Sequence, residues 1–269
     1  MGLNIDWTKE VEYMLSLDKV TIVSQNHAEF QLLWIQDSNI FINLLSISSL
    51  YLPEVLIKLQ ADYQQEDKIF IHLWEDVWLT RKAQVLSRFR SLLGKNHRIH
   101  GRSTVVKKIT KLEAENFLDL YHLQGSAGGR YHYGLFYQDS LVVAASFSNK
   151  RNMKERAEAH TSAELIRFAT KDGYTVTGGL SKLIKHYVQI AGPNDLMSYA
   201  DRDWSQGKGY LSAGFNLKAV TPPVLFYLDP VSLQRYSENK VPQNAAGDLA
   251  GQYIQIFNTG NLKYVLDLS

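Results

Sequence analysis

The run Glu164-Leu-Ile-Arg-Phe-Ala-Thr-Lys-Asp-Gly-Tyr-Thr-Val-Thr-Gly-Gly-Leu-Ser-Lys-Leu-Ile-Lys-His-Tyr-Val-Gln-Ile190 changes character halfway along. Residues 164–170 read as a strand, 171–179 as a glycine-bearing loop and 180–190 as a helix. A helix that starts on glycines leaves its first backbone N–H groups unpaired at the positive end of its dipole, a place suited to a pyrophosphate. Ser181 and Lys182 stand in that first turn, where a hydroxyl and an ammonium would add phosphate contacts. The plain alternative is that Gly178 and Gly179 only permit a sharp turn against a sheet. The fixed spacing to a Gly-Lys-Ser/Thr end is absent, so this is not a Walker loop.

Working outward, residues 104–109 predict a strand and 112–121 a helix. Residues 133–138 and 141–148 predict a hairpin turned at Asp139-Ser140. A glycine-rich loop, 124–130, precedes the hairpin, and a charged loop, 149–160, follows it. Downstream come a strand at 196–200, a short helix ending in 210–215, a strand at 224–228, and a last hairpin of 252–257 with 262–266. The first hundred residues predict a helix within 1–20, then strands at 19–23, 30–35 and 40–47. Pro53 opens a helix to Gln64, 68–74 is a strand, and Thr80 caps a helix over 81–93 that stops at Gly94. The expected fold class is α/β (α+β), divided into a small α/β domain at 1–101, a mixed sheet with helices on both faces at 102–230, and an extension with a β-hairpin at 231–269.

At 269 residues, with 45% hydrophobic and 21% charged residues, the chain can bury a sizeable core, which excludes disorder and collagen-like repeats. With no cysteine it has no disulfide scaffold, thiolate metal site or cysteine nucleophile. The histidines are scattered, and no metal centre is expected. The longest apolar run, 40–52, is broken by Asn43, Ser46, Ser48 and Ser49 and is too short for a membrane span. The N-terminus lacks a secretory pattern, and a cytoplasmic protein without membrane contact is expected. Charge is uneven: between Val77 and Leu112 stand ten basic residues, Arg81, Lys82, Arg88, Arg90, Lys95, Arg98, Arg102, Lys107, Lys108 and Lys111, without one acid. Such a run is the footprint of a phosphate-binding surface, or a solvated helix face beside a domain joint. Arg81, Lys82, Arg88 and Arg90 are its candidate nucleic-acid contacts.

From 104 to 228 the order is strand, helix, hairpin, strand, glycine loop with helix, strand, short helix, strand. This order, with the Tyr210…Gly214-Phe215 signature, resembles the GCN5-related N-acetyltransferase (GNAT) superfamily. The resemblance implies that 164–170 is splayed from its neighbour, with Phe168 and Thr170 on the edge that meets the pantetheine of acetyl-CoA or another acyl-CoA. It implies that Thr177, Gly178, Gly179, Leu180, Ser181 and Lys182 hold the pyrophosphate. It also implies that Tyr210 protonates the leaving thiolate, and it leaves Glu164 nearest to where a general base stands. The chain departs from the family where Thr175 or Val176 replaces the usual Arg or Gln, and where Asp203 replaces an Asn.

Segments 122–125, 178–182, 198–205 and 256–264 look like a module of phage proteins that often follows a nuclease domain related to very-short-patch-repair and homing endonucleases. Residues 72–78 and the basic helix at 81–93 are similar to the last strand and helix of that nuclease. Such a nuclease needs clustered carboxylates for Mg²⁺, whereas 30–48 offers only Asp37. The first domain is therefore expected to be a shortened, nuclease-like scaffold without cleavage.

The polar run Asp201, Arg202, Asp203, Trp204, Ser205 follows a strand, where α/β proteins place ligands. Asp201, Arg202 and Ser205 are expected at the same sheet end as Gly178-Gly179, with His122, Gln124 and Arg130 approaching as further substrate contacts. The plain alternative is an ion-pair-rich loop capping a helix. The expectation is an acyl-CoA-dependent N-acyltransferase acting on a small-molecule or protein amine. Its rival is a non-catalytic nucleic-acid-binding module on the same scaffold.

Overall fold

The computed structural model describes residues 6–155, 158–242 and 252–268. The first elements are α1 (Trp7–Leu17), β1 (Ile22–His27), β2 (Phe30–Ile35), β3 (Ile40–Leu45), α2 (Pro53–Gln65), β4 (Ile69–Trp74) and α3 (Glu75–Leu92). Then come β5 (His97–His100), β6 (Val105–Lys108), α4 (Lys111–Tyr121), β7 (Tyr131–Tyr137), β8 (Ser140–Phe147), β9 (Arg151–Asn152) and β10 (Thr161–Thr170). The chain continues with β11 (Tyr174–Thr177), α5 (Gly179–Ala191), β12 (Asp195–Asp201), α6 (Lys208–Ser212) and β13 (Asn216–Val220). It closes with β14 (Val224–Leu228), β15 (Arg235–Tyr236), β16 (Ile254–Asn258) and β17 (Asn261–Asp267). No helix among the described residues is long and apolar enough to cross a membrane.

Two compact units result, and neither is continuous in sequence. The first comprises Met1–Lys82, Ala200–Gln206 and Val220–Leu262; the second comprises Ala83–Tyr199, Gly207–Ala219 and Lys263–Ser269. The division thus differs from the expected boundaries after residues 101 and 230. It falls inside α3, one residue past Arg81, whose φ of −133° and ψ of 28° break the helix.

In the first unit the sheet order is β1-β2-β3-β4, antiparallel except for the parallel β3–β4 pair. β3, Ile-Phe-Ile-Asn-Leu-Leu, is buried along its whole length, which is why its apolar run does not alternate. A second sheet, β15-β14-β16, gives Leu228, Ile256 and Phe257 to the core that also holds Phe30, Leu32, Phe41, Leu45, Phe70 and Trp74. Two expectations are corrected here. β14 does not complete the sheet of the second unit, and β16 and β17 are not a hairpin, because β16 pairs with β14 while β17 lies between β13 and β12 in the other sheet. Hairpins and strand exchange use the same short-loop, alternating signal, so residues 252–267 could not reveal which one applied.

The second unit carries a mixed sheet ordered β13-β17-β12-β10-β8-β7-β6, with β9 beside β10. The β7–β8 hairpin turns at Gln138-Asp139, one residue earlier than expected. Both residues have positive φ, 47° and 60°, the geometry of a type I′ turn. Side chains alternate across the sheet. Ala144 and Ala169 meet Ala114, Phe117 and Leu118 of α4, while Tyr133 and Phe147 meet His186 and Tyr187 of α5 on the opposite face. Thr110 and Glu113 form a capping box that starts α4. β5 and β11 make a separate parallel pair, with His97 opposite Tyr174 and His100 opposite Thr177.

Candidate functional site

β10 and β12 are parallel and in register only from Ser162 to Glu164, opposite Asp195 to Met197. β10 stays paired with β8 as far as Thr170, with a register shift between Leu165 and Arg167. Beyond Glu164 its β12 side therefore opens. Ser198 of β12 stands in that opening: its Oγ donates to the Leu165 carbonyl at 2.9 Å and lies 3.0 Å from the Tyr210 hydroxyl. Ser198 Oγ stands within donating distance of both the Leu165 carbonyl and the Tyr210 hydroxyl, and its single proton serves one of them at a time. Ser198 shares the buried face of β12 with Leu196 and Ala200, and a buried hydroxyl needs such partners.

Tyr210 comes from α6 and is clamped by rings, stacked on the buried Tyr264 (5.3 Å, 21°) and edge-on to Phe215 at 5.5 Å. Burial pushes its hydroxyl pKa up, against the Ser198 hydrogen bond and the Arg167 and Arg88 guanidiniums. The ring is thus held as a neutral phenol, able to donate. Half-buried Glu164 is also pushed up by burial, with Arg151 and Arg167 opposing; its main-chain N–H donates to Ser148 Oγ at 2.9 Å. Arg167 donates through Nε to the Gly125 carbonyl at 3.2 Å and through a terminal nitrogen to the Ile166 carbonyl at 2.9 Å. It thereby ties the glycine-rich loop to β10.

At the start of α5, Gly178 has φ +75°, no side-chain cap bond, and open space where a Cβ would stand. The first intrahelical bond runs from the Lys182 N–H to the Gly178 carbonyl, so the N–H groups of Gly179, Leu180 and Ser181 precede it. Gly179 is the structural member of the pair: a Cβ there would lie 3.0 Å from Val176 and 3.1 Å from Leu135. Lys182 is used differently from the expectation, because its ammonium donates to the carbonyls of Gly101 and Thr104. A groove of about 460 Å³ opens beside Gly178, with Arg102, Val106, Thr177, Ser181 and Lys185 among its walls. Open main-chain donors, a hydroxyl and cations suit the diphosphate of an acyl-CoA. Phe168 and Thr170 lie half-buried on β10, opposite Ala145 and Val143.

Other candidate residues fall elsewhere. His122 Nδ1 accepts the Gln124 N–H at 3.1 Å, closing the turn after α4, and Arg130 is exposed. Gly178, His122, Gln124 and Arg130 belong to the second unit, whereas Asp201, Arg202 and Ser205 belong to the first. There Arg202 donates to the Thr259 carbonyl at 2.9 Å, and its own carbonyl accepts from Gln60 at 2.7 Å. Asp203 accepts from the Thr259 N–H at 2.9 Å and hydroxyl at 2.7 Å. Glu75 accepts from Ser46 and the Ile47 N–H, and buried Asp76 pairs with Arg235, so the two acids do not face a common point. Of the expected nucleic-acid contacts, Lys82 pairs with Glu10 and Arg90 with Asp172 at 3.0 Å, while Arg88 reaches the surroundings of Tyr210.

Burial raises Asp203 to about 6. A raised folded-state value favours the neutral acid, so its contribution is present at low pH and is lost as pH rises through about 6. Asp203→Asn should therefore gain stability over the wild type as pH rises from about 4 to about 6, by roughly 3 kcal/mol at most, and keep that gain at higher pH. Parallel thermal-unfolding curves for the two proteins across that range would refute this.

Sequence residues of the opening that pattern reading missed are Ser198, Arg167 and Tyr264. A serine on the inward face of a strand and an arginine inside Leu-Ile-Arg-Phe-Ala were the available signals.

No protein-family model and no curated protein matches this sequence. Among solved structures the chain is similar to an acetyltransferase of Bacillus subtilis in complex with CoA, at 15% identity over 62% of this chain and 99% of that one, TM-score 0.36. It is similar to a GNAT family acetyltransferase from Elizabethkingia anophelis with acetyl-CoA bound, at 12% identity over 62% and 99%, TM-score 0.37. A third likeness is to the ribosomal-protein-S18-alanine N-acetyltransferase from Escherichia coli, at 14% identity over 62% and 94%, TM-score 0.39. With scores of this size, the function of the site rests on its own residues.

Proposed function

We propose that the second unit is a GNAT-like, acyl-CoA-dependent N-acyltransferase acting on a small-molecule or protein amine. The observation that carries this reading is the Tyr210 hydroxyl, held through Ser198 and Leu165 at the point where β10 parts from β12. Glu164 stands at the last paired position beside it, and the open Gly178 turn starts the next long helix. Acyl-CoA, when bound, supplies an acyl group already activated as a thioester. Gly179, Leu180 and Ser181 would hold its diphosphate with main-chain N–H groups, and the free β12 side of β10 would align its pantetheine arm. An attacking amine must lose a proton, which Glu164 takes directly or through a water. As the carbon–nitrogen bond forms and the carbon–sulfur bond breaks, neutral Tyr210 offers its proton to the sulfur and regains one from solvent as the products leave, while Ser198 holds the phenol in place. In this reading the first unit is a nuclease-like scaffold that no longer carries the acids for cleavage.

A base must be ionised to act, and burial raises Glu164. The rate should therefore fall as pH drops through a midpoint above the ordinary carboxylate range. Release of free thiol from acetyl-CoA with a panel of amines, followed from pH 5 to 9, measures it. The acid limb should vanish in Glu164→Gln together with most of the rate, about 100-fold or more. An unchanged pH profile in that variant would exclude Glu164 as the base.

A further inference from the structure

The basic run that begins at Arg81 separates into two sets. On α3, Lys82 and Arg90 are paired with acids. From β5 onward the cations face solvent: Arg98 on β5, Arg102 in the following turn, Lys107 and Lys108 on β6, with Lys185 of α5 across the groove from Arg102. Among the described residues, none of these five has a carboxylate within 4.0 Å, although Lys107 rests over the Phe136 ring. The acids on neighbouring elements are committed: Asp172 to Arg90, Glu113 to the Thr110 cap, and Glu115 to Lys111. Val106 and Lys108 alternate onto one face of β6. Lys108 is in register with Tyr133, whose ring meets His186 of α5, so Lys108 shares the face of Val106, which lines the groove with Arg102 and Lys185.

Lysines on an edge strand also keep that strand from pairing with another chain. That reason covers Lys107 and Lys108 but not Arg98, Arg102 or Lys185, which lie on other elements. We propose that this strip binds the phosphodiester backbone of duplex DNA. Clustered cations without competing acids match a polyanion. Sites for single strands add aromatic platforms on which bases stack, and the segment from Lys95 to Lys111 contributes no Phe, Tyr or Trp of its own. Contacts to phosphates carry no sequence information, so binding through this strip is expected to be independent of sequence.

Fluorescence anisotropy of the full chain with a 20-base-pair duplex of mixed sequence, without acyl-CoA, tests this from 50 to 200 mM salt. Lys107 lies over Phe136 on the α4 face, so four phosphate contacts give a log–log salt slope of about −3.6, a loss of affinity of about 150-fold over that range. Arg98→Ala/Lys108→Ala should reduce the slope by about 2, whereas Lys58→Ala/Lys240→Ala, on the first unit, should leave it unchanged. A flat salt dependence, an unaltered slope in the strip variant, or equal affinity for a single strand of the same length would each overturn the proposal. Because no acyl donor is present, the outcome is independent of acyl transfer.

Discussion

Tyr210→Phe is expected to lower the turnover of acyl transfer by about 100-fold or more and to leave the folded protein otherwise intact. General acid catalysis contributes typically 10²–10⁴-fold, and Tyr210 is the neutral phenol at the strand opening. Its ring, not its hydroxyl, makes the stack on Tyr264 and the edge contact with Phe215. Phenylalanine keeps both contacts and removes one hydrogen bond, to Ser198, which itself retains the Leu165 carbonyl. The stability change should stay near 1 kcal/mol. Thiol-release kinetics and thermal unfolding on the same preparation separate the two effects. A variant with wild-type turnover would remove Tyr210 from the chemistry.

The largest loss of stability is expected for Gly207→Ala. Gly207 has φ +72°, and a Cβ on it would stand 2.0 Å from the Tyr264 hydroxyl oxygen and 2.3 Å from Cζ. Left-handed backbone disfavours any side chain by about 1–2 kcal/mol, and forcing atoms into a packed site adds about 1–3 kcal/mol. Together these give roughly 3 kcal/mol, or a fall in Tm of about 6–12 °C for a protein of this size. Tyr264 cannot yield freely because it is buried and stacked on Tyr210. The same substitution should therefore misplace Tyr210 and reduce turnover as well. Because Cζ and Cε2 would still lie 2.3 and 2.4 Å from the new methyl, Gly207→Ala/Tyr264→Phe should remain destabilised; an unchanged Tm in the single variant would deny the clash.

Long periodic segments were legible in the sequence because their burial is one-sided or complete. α2, α5, β2 and β4 lie within a residue of their expected limits. β5 and β11 were not, since His-Arg-Ile-His and Tyr-Thr-Val-Thr are too short and too polar to show a period. α3 begins at Glu75, not Arg81, because the non-helical geometry of Arg81 interrupts a helix whose first turn carries Glu75 and Asp76. The partition of the chain was the least visible feature. Strands β14 and β16 return to the first core through contacts such as Trp74 with Phe257, and long-range pairing of this kind leaves no local mark.

At the site, Gly178 and Tyr210 could be found from residue type and order. The roles within each motif could not. Gly178 and Gly179 read alike, yet one faces open space and the other faces Val176 and Leu135. Lys182 has the charge for a phosphate but uses it on two carbonyls of the preceding turn. Asp201 to Ser205 form a polar run that looked like a ligand loop, and the first unit takes it up through Thr259 and Gln60.

Titration calorimetry of acetyl-CoA into the wild type and Gly178→Glu tests the central claim most directly. Gly178 is chosen over Gly179 because a Cβ there meets nothing within 4 Å, and the left-handed backbone costs about 1–2 kcal/mol. A glutamate at that turn sets a negative charge against the diphosphate. The wild type is expected to bind stoichiometrically, and the variant to remain folded with at least a tenfold loss of affinity. No heat with the wild type at millimolar acetyl-CoA, or equal affinity in both proteins, would contradict it.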